Sequence, residues 1–241
     1  MWGLRLEEGA DVDSRRPAIS KDGTAMAAKA ALTRRAALQT GASAIALAAL
    51  APAAARAQTA ISMEALLDAG PLPDLWLGDP KAPVTVIEYA STTCSHCANF
   101  HATTFKELKA KYIDTGKVRF VLREFPLNNV DLGAYMIARC AGEDKRYAIV
   151  DLLFAQQKNW MNDKPLASLV SLMRQAGVSE QQVEACLKDK ALYDNVVKAR
   201  DLATTKFGVN STPTFFINGQ RQVGALSLEE MEKVILPFIK G

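Results

Sequence analysis

EYASTTCSHCANFH, residues 88–101, carries two of the chain's four cysteines and both of its histidines. Cys94 and Cys97 are separated by Ser95 and His96, a spacing shared by metal sites, haem attachment, inert staples and electron exchange. The flanks narrow the choice. Upstream, VTVIEYAS (84–91) is apolar and β-branched on successive residues, which predicts a strand buried on both faces. Downstream, ANFHATTFKELKAKYI (98–113) sets Phe100, Phe105 and Leu108 at helical spacing. Cys94 is therefore expected at a strand-to-helix junction, beside the helix N-terminus.

Haem attachment requires a histidine directly after the second cysteine, and Ala98 stands there. Zinc could draw on Cys94, Cys97 and His101, but a closed site needs a fourth ligand and a second knuckle is missing. An inert staple gains little from so short a loop. Redox exchange uses the residues better: a helix N-terminus and an imidazole at His96 both favour thiolate over thiol at Cys94. Cys94 is then the exposed nucleophile and Cys97, one turn into the helix, the buried resolving thiol. Each unit of pKa lowering favours the reduced pair by ~1.4 kcal/mol, or ~30 mV in a two-electron couple. His101 reads as a helix-face or capping residue and is left outside the site.

The compartment follows from the N-terminal segment. LTRRAALQTGASAIALAALAPAAARAQTA (32–60) has a positive start at Arg34 and Arg35, an Ala-rich uncharged run, and Ala55-Arg56-Ala57 as a cleavage site. Residues 1–57 are thus expected to be a removed export signal. Thr33-Arg34-Arg35 also resembles a twin-arginine signal, with Ala37 where that pattern prefers Phe or Leu, so the Sec and Tat routes both stay open. A start at Met26 would give a leader of ordinary length. The apolar run is too short for a good membrane span, so stable membrane insertion is not expected. Export implies an oxidising, periplasmic setting in which paired cysteines form disulfides. The formal charge of +3 sits in the leader; the remaining chain balances 21 basic against 21 acidic residues. That neutrality gives no reason to expect a nucleic-acid partner.

Residues 58–82 are read as an N-terminal helix capped by Ser62 followed by a Pro-rich lead-in. KVRFVLREFPL (117–127) is a second strand, stopped by Pro126. Residues 128–187 contain only helix-period segments, with a capping box at Ser179 and Gln182. A further helix over 192–206 leads to a strand at 214–217, a turn at Asn218-Gly219, a strand at 220–223 and a helix begun by Ser227 and Glu230. In NSTPTFFING (210–219), Pro213 is expected as a cis peptide at a tight turn, leaving the Thr212 backbone free to pair with an extended substrate.

These residues together resemble the DsbA-like branch of the thioredoxin superfamily, over about 75–241. The resemblance implies an α/β thioredoxin fold with an inserted all-helical domain, divided as 83–127, 128–187 (the insertion) and 188–241. It also implies an active-site disulfide at Cys94 and Cys97, a cis-Pro loop at Pro213, substrate contact at Ser95 and Thr212, and a buried acid at Glu88 handling the Cys97 proton. Cys140 (ARCAGE) and Cys186 (EACLKD) match a second, structural disulfide known among exported members; two buried free thiols are the alternative. The commonest family dipeptide between the cysteines is Pro-His, so Ser95 is a departure bearing on oxidising power.

The reading is an exported oxidoreductase that introduces disulfides into other exported proteins through their cysteines. The resemblance implies reoxidation by a DsbB-type quinone-linked membrane protein. No organic cofactor or metal is called for, and nothing in the mature chain demands a dimer, so a monomer is expected. The alternatives are a periplasmic disulfide reductase or isomerase, or a metal-binding module on the same fold. The length of 58–79 disfavours the isomerase, which carries an added dimerisation domain.

Overall fold

The computed structural model describes residues 61–239. The expected export signal over 1–57 lies outside the described residues. Four strands form one mixed sheet in the order β2-β1-β3-β4: β1 (Val84–Ala90), β2 (Val118–Glu124), β3 (Thr214–Ile217) and β4 (Gln220–Val223). β1 runs parallel to β2 and antiparallel to β3, so it is central, and all seven of its residues are buried. That explains its unbroken apolar run: neither face meets water. Its one charged residue, Glu88, stands opposite Leu122 and Phe215.

Period-two alternation sorts β1 between two apolar layers. Val84, Val86 and Ala90 join Phe100, Phe105, Phe120 and Phe215, beneath α2 (Ser95–Ala102), α3 (Thr104–Leu108) and α10 (Leu228–Ile239). Ile87 and Tyr89 join Val121 and Phe216 on the other face, beneath α1 (Met63–Leu67) and α9 (Lys190–Phe207). Between β2 and α9 the chain is helical throughout: α4 (Asn129–Cys140), α5 (Glu143–Ala155), α6 (Gln157–Trp160), α7 (Pro165–Gln175) and α8 (Glu180–Lys188). Their apolar faces continue the α2 layer, through Tyr135, Phe154, Trp160 and Leu172.

Local chemistry sets the element ends. Ser62 accepts from the Ala65 amide to start α1, and Ser179 and Gln182 form a reciprocal capping box at α8. Asn218 and Gly219 take φ of 44° and 85° in the two-residue turn joining β3 to β4. Two helices are shorter than the periodicity predicts. The helix expected over 98–113 begins at Ser95 and breaks at Thr103, whose hydroxyl bonds back to the Asn99 carbonyl at 2.8 Å. Thr104 instead donates to the Leu226 carbonyl at 2.9 Å, and the chain leaves α3 through a π-helical turn at Lys109–Ile113. The segment 146–160 is likewise interrupted at Gln156, and this break turns Gln157 toward the CxxC loop.

Candidate active site

Cys94 is the N-cap of α2, in extended backbone conformation, directly after the loop that leaves β1. Its sulfur is half-buried and lies 3.3 Å from the Thr212 carbonyl, to which the S–H donates. Ionisation is nonetheless favoured. The thiol of Cys97 donates to the Cys94 sulfur, and the Thr212 side chain and the Cys97 and His96 amides add to it, lowering the pKa from the ordinary thiol range to about 5. Burial pulls the other way. The positive end of α2 points at the same atom. Cys97 is the opposite case: fully buried, it is pushed far above the usual thiol range by desolvation, by its bond to Cys94 and by the Glu88 charge. Both thiols are free in this structure.

The loop between β1 and Cys94 is held from beneath by a group that sequence reading missed. The buried carboxylate of Asp131 accepts from the Ser91 hydroxyl (2.6 Å), the Thr92 amide (2.8 Å), the Thr92 hydroxyl (2.5 Å) and the Leu127 amide (2.9 Å). Gln157 Nε2 donates to the carbonyls of Thr92 (2.8 Å) and Cys94 (3.0 Å), and Asn128 donates to Thr93 Oγ1. In the sequence, Asp131 passes for an acid complementing the first turn of α4, and Gln157 for one polar residue among several. Only the tertiary fold brings them under residues 91–94.

Glu88, in the middle of β1, is fully buried, and its Oε2 lies 2.8 Å from His101 Nε2. The sequence suggests a helix-face or capping residue at His101, but the side chain is buried on the sheet side of α2, stacked on Phe154 at 4.4 Å between ring centroids. The reason is registry: His101 falls one turn after Cys97, on the face of α2 that Cys97 already commits to the core. His96 departs from expectation in the other direction. Its ring is exposed and hydrogen-bonds to no described residue; its contribution to Cys94 runs through its backbone amide. Ser95 is likewise exposed.

The Thr212–Pro213 peptide is cis, with Pro213 buried at the start of β3. Cys140 and Cys186 form a disulfide between the end of α4 and α8. The zinc alternative required His101 to turn toward the cysteines. It faces Glu88, and among the described residues no three His, Cys, Asp or Glu side chains gather as a metal site. No described helix is long and apolar enough to cross a membrane.

Comparison with known proteins follows the same lines. A family model described as Thioredoxin matches residues 72–236. Chains from Rickettsia bellii and Rickettsia felis, both assigned by name to the protein-disulfide oxidoreductases, are 36% and 35% identical over 148 and 169 residues. Those matches cover 61% and 67% of this chain but only 57% and 59% of the relatives' own lengths. The crystal structure of Wolbachia pipientis alpha-DsbA1 superposes with a TM-score of 0.64 at 35% identity, covering 70% of this chain and 92% of that one. BdbD from Bacillus subtilis, at 22% identity and a TM-score of 0.63, shares the fold over 73% of this chain and 95% of its own. The strand-to-helix cysteine pair, the mixed four-stranded sheet and these likenesses agree: the chain belongs to the thioredoxin family, as a DsbA-like member.

Proposed function

We propose that the protein is an exported, periplasmic thiol–disulfide oxidoreductase that introduces disulfides into other exported proteins. The observation that carries this reading is the contrast between the two sulfurs, Cys94 held toward the thiolate and Cys97 buried and held as a thiol. In the oxidised protein a client thiolate attacks Cys94 Sγ, the Cys94–Cys97 bond breaks, and its electron pair leaves on Cys97. A second client thiolate then attacks the client sulfur of the mixed disulfide, and Cys94 departs as a thiolate. A sulfur stabilised as an anion leaves fast and lowers the energy of the reduced pair, which makes the disulfide form an oxidant.

The client backbone is proposed to lie along Thr212, whose carbonyl is 3.3 Å from the attacked sulfur, with Ser95 and Pro213 bordering it. The Glu88 carboxyl, buried on the Cys97 side of the sheet, is proposed to handle the Cys97 proton. Clients are cysteine-containing exported proteins, and reoxidation is assigned to a DsbB-type membrane quinone reductase. The resting protein is proposed to be a monomer whose leader, residues 1–57, is removed. Ser95 in place of the family's Pro bears directly on the potential. Equilibration of the Cys94–Cys97 pair with glutathione buffers tests the reading. A potential more oxidising than glutathione supports the oxidant, and a thioredoxin-like value would make the protein a reductase.

A further inference from the structure

Thiol exchange at this site moves a proton as well as electrons, and the proton has no evident path. Cys97 is fully buried and strongly favours its thiol form, so it must gain a proton as the disulfide opens and lose one as it closes. Glu88, whose charge acts on Cys97, is fully buried too. We infer that His101, with Asp151 behind it, relays protons between solvent and the buried Glu88–Cys97 pair. The inference rests on the exchange activity proposed above.

Three observations carry it. First, His101 Nε2 sits 2.8 Å from Glu88 Oε2, while His101 Nδ1 and Glu88 Oε1 are buried without any hydrogen-bond partner. Leaving such groups unsatisfied destabilises the fold, a cost that an apolar pair at the same positions would avoid. Second, the open nitrogen faces outward. Nδ1 lies 3.9 Å from Asp151 Oδ1 on α5, too far for a hydrogen bond but within reach of a small side-chain rotation, and the Asp151 side chain is 56% exposed. A cavity of about 240 Å³ adjoins both groups, walled by Ala98, Ala102, Phe105 and Phe154, with room for several water molecules. Third, the ring is held in a fixed plane by Phe154 (4.4 Å) and Phe105 (4.7 Å), so its two nitrogens keep their separate partners.

Imidazole suits this task because it takes a proton at one nitrogen while releasing one at the other. As the client sulfur bonds to Cys94 and the disulfide breaks, the electron pair on Cys97 takes a proton from the Glu88–His101 pair. His101 regains it at Nδ1 from Asp151 or solvent. One proton enters, no further group changes oxidation state, and reoxidation runs the path in reverse. The charged and titratable groups around the relay are Glu88 from β1, Cys97 from α2 itself, Tyr135 from α4, and Tyr147 and Asp151 from α5. Lys106 of α3 and Lys109 of the π turn act on Asp151. Partial burial raises the Asp151 carboxyl from its usual range, against the pull of His101 and these two lysines. His101 acts on sulfur only through Glu88, as a positioning and relay residue.

The test is single-turnover reduction of the oxidised full chain by dithiothreitol, with thiols trapped by rapid quench, alongside the thiolate titration of Cys94. His101→Gln keeps a donor for Glu88 but has no second nitrogen. It is expected to slow disulfide opening by about tenfold or more, the scale of general acid catalysis, with the Cys94 titration unmoved. His101→Ala should be slow and regain speed with added imidazole, whereas added imidazole leaves the natural protein unchanged. Asp151→Asn, a substitution near the surface, should be slowed several-fold, and it decides the matter if the His101 variants fail to fold. Wild-type rates in His101→Gln and Asp151→Asn, or a slow His101→Ala that imidazole does not rescue, would overturn the relay. A natural protein that dithiothreitol cannot reduce would instead overturn the exchange reading beneath it.

Discussion

Two sulfurs of one chemistry are driven apart by three residues of sequence. Cys94 caps α2 with amides aimed at it, and Cys97, one turn later, is fully buried and feels the Glu88 charge. The two single substitutions should therefore behave differently. Cys97→Ala should accumulate mixed disulfides, formed when the Cys94 thiolate attacks a client disulfide and expels one client thiolate, and visible as thiol-sensitive adducts on non-reducing gels, because no Cys97 thiol is left to displace the client. Cys94→Ala should form none and exchange nothing. Asp131 is the residue whose loss should be felt most widely around them. Its carboxylate takes four hydrogen bonds from the loop and from Leu127, so Asp131→Ala removes the acceptor of four donors at once, three of them buried. Urea unfolding should show a loss of about 3 kcal/mol, the scale for breaking a buried charged hydrogen-bond network. An unchanged midpoint would mean that the loop does not depend on this carboxylate.

At the scale of elements, what could be read in advance is what local chemistry decides. β1 announced itself by an apolar run, the β3–β4 hairpin by Asn218-Gly219, and α8 and α10 by their capping boxes. The break between α2 and α3 was not legible, because the Thr104 hydroxyl is drawn to a carbonyl 122 residues away. His101 and Asp131 escaped for the same kind of reason: burial comes from the partner layer, and a polar residue on a helix looks alike whether that layer is water or protein. The placement of Cys94 at the start of α2 and of Cys97 within it, and the cis Thr212–Pro213 peptide, are legible because motif spacing carries them, whereas the exposure of the His96 ring is not. The Cys140–Cys186 bridge ties α4 to α8 across 46 residues. Replacing both cysteines with Ser should lower unfolding stability by about 4 kcal/mol or less, from the chain entropy restored to the unfolded state. A double variant as stable as the natural protein would show that packing alone secures the helical region.

Across the whole molecule, the active-site pair couples redox state to stability and pH. The reduced form carries a Cys94 whose folded pKa, about 5, lies below its unfolded value, whereas the oxidised form has no titrating thiol there. The stabilisation is therefore fully present above the unfolded cysteine value, near 8.5, and is lost as pH falls through the folded one. Cys97 has the opposite sign and tells against the reduced form only above that range. Thermal unfolding of both redox forms should then show the reduced protein gaining on the oxidised one as pH rises from about 5 to about 8. The most direct measurement is the ultraviolet absorbance of the Cys94 thiolate in the reduced protein, followed against pH with the Cys140–Cys186 bridge intact. A thiolate stabilised as described titrates with a midpoint at about 5. A midpoint at or above that of free cysteine, near 8.5, would contradict it.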